Sequence, residues 1–112
     1  MERTLVILKP SCIKRSLVGE VVKRFEQKGL HLVGMKMMQL GDDILDIHYS
    51  HLKDKPFFVQ LKQSMMETPV VVLCWEGKDA VQVVRNLTGF TNSREAAPGT
   101  IRGDFSMSVQ EN

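Results

Sequence analysis

Thr4-Leu5-Val6-Ile7-Leu8, closed by Lys9-Pro10, is the stretch of sequence that decides the fold. It is a short, continuous apolar run, and its length and β-branched side chains favour a buried central strand over a helix. Pro10 ends this strand because its nitrogen carries no hydrogen to donate to a neighbouring strand. A second apolar run, from Pro69 to Trp75, has the same character and predicts a second strand.

The residues between the two runs alternate between helical and extended patterns. Residues 16–28 carry apolar side chains at helical spacing, and Ser16 and Gly29 are placed to cap the start and the end of this helix. The apolar face of the helix consists of Val18, Val21, Val22 and Phe25. Residues 30–40 predict a strand, and one face of that strand carries Leu32, Gly34, Lys36 and Met38.

Further helices are predicted on both sides of the second apolar run. One starts at Asp42 or Asp43 and continues through about Leu52, and another has Pro56 in its first turn and reaches Met66. A third spans residues 78–87. Its inward face is predicted to consist of Ala80, Val81, Val84 and Leu87.

The last part of the chain predicts a long loop and one more strand. Residues 88–104 are too long for a simple connection, which indicates a functional loop, and residues 105–110 alternate as a strand. The order of elements suits a ferredoxin-like α/β (α+β) fold, with a four-stranded antiparallel sheet and helices packed on one face. We expect one domain over residues 1–112, incomplete at its C-terminus because the last strand still alternates near Asn112.

Composition favours a single globular domain and excludes several other classes. Hydrophobic residues make up 43% and charged residues 25% of the 112 residues, as in ordinary folded proteins. A net charge of +2 is too small to indicate nucleic acid or a membrane surface as a partner. Cys12 and Cys74 are too few and too far apart for a disulfide scaffold or a zinc site. No apolar run is long enough to span a membrane, so we expect a cytoplasmic protein.

The long loop carries the residues best suited to bind phosphate. It ends with Pro98-Gly99-Thr100-Ile101-Arg102-Gly103-Asp104-Phe105, and Arg85 and Thr91 lie near its start. Guanidinium groups match phosphate oxygens in a planar, bidentate geometry. Two other interpretations remain open on composition: Arg102 as the cap of a turn and Arg85 as a solvated helix end. Lys9 is likewise either a ligand at a strand end or a surface lysine.

Other chemical motifs are missing from the sequence. It contains neither a Gly-x-x-x-x-Gly-Lys-Ser/Thr loop nor a Gly-x-Gly-x-x-Gly turn. His48 and His51 have a spacing compatible with a metal, but solvated surface histidines are the preferred interpretation. An RNA-binding ferredoxin-like domain is disfavoured because the strands lack paired exposed aromatic residues.

Motifs along essentially the whole chain match one known family. The matching segments are Glu2-Arg3-Thr4, Lys9-Pro10, Leu17-Val18-Gly19-Glu20, residues 23–29, His48-Tyr49, residues 52–58, Pro69-Val70-Val71, Trp75-Glu76-Gly77, Gly89-Phe90-Thr91-Asn92 and residues 98–105. The last segment is the most specific. With these segments the chain resembles the nucleoside diphosphate kinase family, whose members move the terminal phosphate of a nucleoside triphosphate onto a diphosphate through a phosphohistidine.

The resemblance implies how the nucleoside is held. Phe57 stacks on the base, with Leu61 and Val109 nearby, and stacking on an aromatic face tolerates any base. Lys9 and Asn112 hold the sugar hydroxyls, and Lys9 also reaches the phosphates.

The resemblance also implies how the phosphates are held. Arg85, Thr91 and Arg102 bind them, with a Mg²⁺ ion bridging phosphate oxygens rather than bound by side chains of the protein. Tyr49 lies beside the nucleophile. Members of the family are homo-oligomers, and an oligomeric state for this chain is not determined by the sequence.

Three departures from the family pattern bear on activity. Lys9-Pro10-Ser11-Cys12 replaces the usual Lys-Pro-Asp-Gly, and Phe90 replaces a glutamate before Thr91-Asn92. The family's nucleophilic histidine corresponds to a position beyond Asn112. We therefore predict that the 112-residue chain has no catalytic nucleophile and is inactive, although the full-length form is the enzyme. The alternative is a non-catalytic nucleotide-binding or assembly module.

Overall fold

The computed structural model describes residues 1–107, which form three strands and several helices. In chain order the elements are β1 (Glu2–Leu8), α1 (Pro10–Lys14), α2 (Val18–Lys28), β2 (His31–Met38), α3 (Asp42–His48), a 3₁₀ turn (Ser50–Leu52), α4 (Phe58–Met66), β3 (Val70–Gly77), α5 (Ala80–Thr88) and α6 (Ile101–Phe105). Half of the predicted last strand, residues 108–110, lies outside the described residues. Its first residue, Phe105, ends a helix instead.

The sheet is antiparallel, with strand order β1-β3-β2. The α+β class is confirmed. Residues 1–107 supply three strands instead of four, and among these three β3 rather than β1 is central. Val70 and Val71 are both buried, so both faces of β3 are covered at its start, whereas further along the strand the fully buried residues alternate with half-buried ones. β1 pairs only with β3 among residues 1–107, and Leu5 on β1 is 67% exposed. Continuous apolar character therefore identified both strands without fixing which of them is central.

A register shift in β2 reverses the faces that simple alternation predicts. Leu32 pairs with Trp75, but Gly34 pairs with Cys74, so Val33 is an extra residue between them. Such an insertion exchanges the two faces for the rest of the strand. Leu32 and Met38, predicted on one face, therefore lie on opposite faces of the sheet.

Helices pack on both faces of the sheet, whereas the sequence predicted one. On one face α2 and α5 cover the centre, where the rings of Phe25 and Trp75 lie 5.2 Å apart. On the other face Leu45 of α3 and Met65 of α4 pack with Val70 of β3. Each fully buried side chain of this size contributes about 1.5–3 kcal/mol of transfer free energy, so both faces stabilise the sheet.

The ends of the helices follow backbone conformation more than side-chain caps. Ser16, predicted to cap α2, lies before the helix with a left-handed φ of 57°, and Leu17 is the N-cap residue. Gly29 ends α2 with φ 110°, as predicted. The helix predicted from Asp42 to Leu52 is divided, because α3 ends at His48 and a 3₁₀ turn follows.

Helix α5 is anchored to the first strand and borders the predicted loop. The side-chain oxygen of Glu2 accepts a hydrogen bond of 3.2 Å from the Val81 backbone N–H at the helix start. Val81 itself is 42% exposed, so its predicted inward position is wrong, whereas Ala80 and Val84 are buried. Within residues 1–107, no helix has the length and apolar character needed to cross a membrane.

Candidate functional site

A groove runs along the outer side of β1, between that strand, helix α5 and the loop that follows α5. Its volume is about 770 Å³. Three of the predicted phosphate-binding residues line it: Arg85 from α5, Thr91 from the loop and Arg102 from α6. Here it is called the β1–α5 groove. The fold thus brings together residues that are separated by up to 17 positions in the sequence.

Arg102 is presented by a short helix that a threonine cap begins. Thr100 is the N-cap of α6, and its Oγ1 accepts a 3.0 Å hydrogen bond from the Gly103 N–H. The Arg102 guanidinium donates a 3.0 Å hydrogen bond to the Gly89 carbonyl. A guanidinium has five N–H groups, so this bond leaves donors for a ligand. The turn-capping and phosphate-binding interpretations of Arg102 are therefore compatible.

Gly89 closes this part of the loop against Thr100. Its φ is 90°, and a Cβ added there would lie 2.6 Å from the Thr100 Oγ1. Both the backbone conformation and the close approach require glycine at this position. The start and the end of the long loop are consequently held together beside Arg102.

Arg24 braces the far side of α6, which the sequence did not predict. Its guanidinium lies 2.7 Å from the Asp104 carboxylate and 4.6 Å from the centre of the Phe105 ring. Asp104 also accepts a 2.9 Å hydrogen bond from the Gly99 N–H. That backbone hydrogen bond and then Arg24 hold the pKa of Asp104 below its usual value. In the sequence, the only indication of this contact is that the acidic Asp104 follows Gly99 by five positions.

Lys9 lies beside Arg102 in a partly buried position. Burial lowers the pKa of Lys9, and the nearby positive charge of Arg102 lowers it further. Burial likewise lowers the pKa of Arg102. Two partly desolvated cations next to each other repel, and a bound anion relieves this repulsion. Lys9 and Arg102 are therefore not two fully solvated surface charges.

The residues predicted to contact the base and the nucleophile lie on α3 and α4, away from the β1–α5 groove. Phe57 is the N-cap residue of α4 and is 47% exposed, and Leu61 follows one turn later. Tyr49, at the end of α3, is half-buried, and burial raises its pKa. Lys9 does not line the β1–α5 groove. It lines one cavity with Arg102 and another, of about 200 Å³, with Ser64 of α4.

Other predicted positions contribute nothing to this site or cannot be placed in it. Val109 and Asn112 lie outside the described residues. None of the three histidines lines the β1–α5 groove, and His48 packs instead with its ring 4.6 Å from that of Tyr49. In the part of the chain that the structure describes, no group of three His, Cys, Asp or Glu side chains is arranged to hold a metal ion.

Phe90 is the second departure from the family pattern, and it lies at the groove. It is 69% exposed and lines the groove next to Thr91. An aromatic ring therefore occupies a surface position where a carboxylate is usual, which removes a negative charge near the arginines.

Comparison with known proteins is consistent along the whole chain. The family model described as nucleoside diphosphate kinase matches residues 2–112. The nucleoside diphosphate kinase of Parabacteroides distasonis is 65% identical over 112 residues, which are 100% of this chain and 73% of that protein. Human nucleoside diphosphate kinase A is 50% identical over 111 residues, 99% of this chain and 73% of that protein.

A solved structure agrees with these sequence matches. The nucleoside diphosphate kinase of Halobacterium salinarum in complex with CDP superposes with a TM-score of 0.96 at 44% identity. The superposition covers 98% of this chain and 72% of that one. Family match, identity and fold agree, and the chain therefore belongs to the nucleoside diphosphate kinase family.

Proposed function

We propose that Lys9, Arg85 and Arg102 bind the phosphate groups of the nucleoside di- and triphosphates on which this kinase family acts. The observation that carries the proposal is that Lys9 and Arg102, two partly buried cations, line the same cavity. Burial lowers the pKa of Lys9, and the positive charge of Arg102 lowers it further. Arg85 adds a third cation, and it makes no ion pair or side-chain hydrogen bond within residues 1–107. Thr91 supplies a hydroxyl near Arg102 in the same groove.

Phe57 and Leu61 are proposed to contact the base. Phe57 is a large aromatic side chain that is 47% exposed at the start of α4. Contact of its apolar ring with water is unfavourable, and a ligand that covers the ring removes this contact. A relative of known structure is complexed with CDP, a nucleotide whose base such a ring would stack on. Tyr49 is proposed to support the reacting phosphate from the end of α3, and Val109 and Asn112 complete the predicted set beyond the described residues.

Mg²⁺ is proposed to arrive with the nucleotide. The residues gathered at the groove are cationic or neutral, and residues 1–107 contain no cluster of metal-binding side chains, so phosphate oxygens are the fitting ligands. When bound, the ion neutralises phosphate charge. Arg85 and Arg102 would contact the oxygens that the ion leaves available.

Titration of the chain with Mg-ADP tests the phosphate-binding proposal. Replacing Arg102→Ala removes charge-assisted hydrogen bonds of about 1.5–3 kcal/mol, so we expect an increase in Kd on the order of tenfold to a hundredfold. Arg3→Ala is the matched control, since it removes the same charge at the opposite end of β1. Equal affinities for the two variants would show that Arg102 does not bind phosphate.

We further propose that the 112-residue chain binds nucleotide without becoming phosphorylated. Its histidines are His31 on β2, His48 at the end of α3 and His51 in the 3₁₀ turn, all away from the β1–α5 groove. Incubation with γ-labelled ATP should leave the protein unlabelled. Acid-labile label on any of the three histidines contradicts the proposal, and nucleotide binding without labelling favours the non-catalytic module.

Assembly as a homo-oligomer remains a prediction from the family resemblance, and a cytoplasmic location remains a prediction from the sequence. Apolar side chains on β2 supply a surface that assembly would cover: Val33, Met35 and Met37 are each more than two-fifths exposed. Analytical ultracentrifugation of the purified chain measures its oligomeric state directly.

A further inference from the structure

Lys62 is the centre of a charged contact between α3 and α4. Its Nζ lies 2.8 Å from Asp46 Oδ1 and 3.2 Å from Asp42 Oδ1, both on α3. The same Nζ lies 5.1 Å from the centre of the Phe58 ring at the start of α4. Only 17% of the Lys62 side chain is exposed, so this is a partly enclosed contact.

The two aspartates make a cation at position 62 necessary for close packing of α3 against α4. Asp42 and Asp46 are four residues apart on one helix, a spacing at which like charges repel. Lys62 is the cation within ion-pair distance of both carboxylates. Without it, two like charges would face the side of α4 that carries the Phe58 ring. The lysine thus converts a repulsive face of α3 into one that attracts α4.

This contact lies next to the residues proposed to hold the base. Phe57 precedes α4, Leu61 is in its first turn, and Lys62 is the next residue. Tyr49 follows the last turn of α3. A shift of α4 against α3 would therefore move Phe57 and Leu61 relative to Tyr49. Among the contacts between the two helices, the apolar pair Leu45 and Met65 lies nearer the other end of α4.

We propose that Lys62 is a positioning residue that sets where α4 presents Phe57 and Leu61 to the nucleotide base, by holding α4 against Asp42 and Asp46 of α3. The inference rests on the proposed contact of Phe57 with the base. It adds a determinant of base affinity that itself touches no ligand. The phosphate-binding residues lie on other elements, so the effect of Lys62 should be confined to the base.

Two ligands separate base binding from phosphate binding. Titrations of the chain with Mg-ADP and with Mg-tripolyphosphate, which has no base, compare unsubstituted protein with Lys62→Met. We expect Lys62→Met to raise the Kd for Mg-ADP by about tenfold and to leave the Kd for tripolyphosphate within about twofold. Lys62→Arg, which keeps the charge, should restore most of the Mg-ADP affinity. Lys23→Met is the matched control, because Lys23 is an exposed lysine of α2 with no ion pair within residues 1–107.

The outcomes distinguish failure of this inference from failure of the proposed function. No binding of Mg-ADP by the unsubstituted chain, or Mg-ADP binding that Phe57→Ala leaves unchanged, would overturn the proposed base contact and the role of Lys62 with it. A preference for ADP that survives Lys62→Met would overturn the positioning role alone. Parallel weakening of both ligands would also overturn it, because Lys62 would then act on the whole fold. Amide hydrogen exchange in Lys62→Met and in the unsubstituted protein gives a second test. Faster exchange in α4 of the variant, with unchanged exchange in β3, supports the proposal. Unchanged exchange in α4 opposes it.

Discussion

Replacing Gly103 by alanine should destabilise the protein, although the same change in another helix should not. Gly103 lies inside α6, and a Cβ placed there would collide with the Ala97 carbonyl oxygen, 2.6 Å from the Ala97 carbonyl carbon and 2.7 Å from the Thr100 Oγ1. Backbone atoms cannot rotate away as a flexible side chain can. Relief therefore requires the loop before α6 to move away from the helix.

The expected cost follows from what that movement breaks. The Ala97 carbonyl accepts hydrogen bonds from the Thr100 hydroxyl at 2.6 Å and from the Thr100 N–H at 3.1 Å. Overpacking costs about 1–3 kcal/mol, and loss of a threonine cap costs about 1 kcal/mol. Alanine returns at most about 1 kcal/mol through its better helix propensity. We expect a net loss of about 1–3 kcal/mol in the free energy of unfolding.

Gly19→Ala is the matched control for this prediction. Gly19 also lies in a helix, α2, and a Cβ added there would meet no atom within 4 Å. Helix propensity alone then applies, and we expect a small stabilisation of up to about 1 kcal/mol.

Urea unfolding followed by the fluorescence of Trp75 measures both variants. Trp75 is the single tryptophan and is fully buried, so its emission reports loss of the core. With a slope of about 1–2 kcal/mol/M, Gly103→Ala should lower the midpoint by roughly 0.5–3 M. Limited proteolysis of the loop detects the change if α6 opens locally. A Gly103→Ala protein that matches Gly19→Ala in both measurements would refute the close approach of Gly103 to Ala97.

Three further predictions concern single side chains. The pKa of Asp104 is lowered in the folded state, chiefly by the Gly99 N–H, so its contribution to stability is complete above the ordinary value of 3.8 and is lost as the pH falls through the folded pKa. Urea midpoints between pH 2 and 6 should accordingly fall less steeply for Asp104→Asn. Within residues 1–107 the buried Nε1–H of Trp75 has no hydrogen-bond partner. Trp75→Phe should therefore cost less than about 1.5 kcal/mol, against about 3–5 kcal/mol for Trp75→Ala, measured by circular dichroism on urea titration. Burial raises the pKa of the Cys12 thiol, which lowers the fraction present as reactive thiolate. In a Cys74→Ser background, Cys12 should therefore react with a disulfide reagent at pH 7.5 more slowly in the folded chain than in the unfolded chain. Equal rates would show that Cys12 is accessible.

Much of the fold could be predicted because apolar runs and helical spacing are local properties. The runs at residues 4–8 and 69–75 gave two strands, and Gly29 gave the end of α2. The centre of the sheet could not be predicted, because the order of strands depends on contacts between distant segments. The register shift at Val33 could not be predicted either, because the extra residue is defined by the pairing of β2 with β3 and does not change the alternation of side chains along the sequence.

The α6 helix was missed because it is short and contains glycine. Its five residues give less than two turns, and Gly103 in the middle is a poor helix former. The Thr100 cap and the Arg24 brace hold it instead. Such a helix depends on tertiary contacts, which a local pattern does not contain.

The candidate site was predictable where a motif contains it and not where distant charges meet. The family motifs supplied Arg85, Thr91 and Arg102, and the structure brings these three into one groove. Pairings such as Arg24 with Asp104 join helices that are far apart in the sequence. The sequence does not distinguish a charged helix residue that faces water from one that forms an ion pair with another helix.

If Lys9 and Arg102 bind phosphate as proposed, the stability of this protein depends on the salt in which it is measured. An anion that binds between these cations binds the folded chain and not the unfolded one, so mass action shifts the folding equilibrium. At a concentration one hundred times its Kd, such an anion adds about 2.7 kcal/mol to the apparent free energy of unfolding. A melting temperature recorded in phosphate buffer would therefore exceed one recorded in a chloride buffer at the same ionic strength.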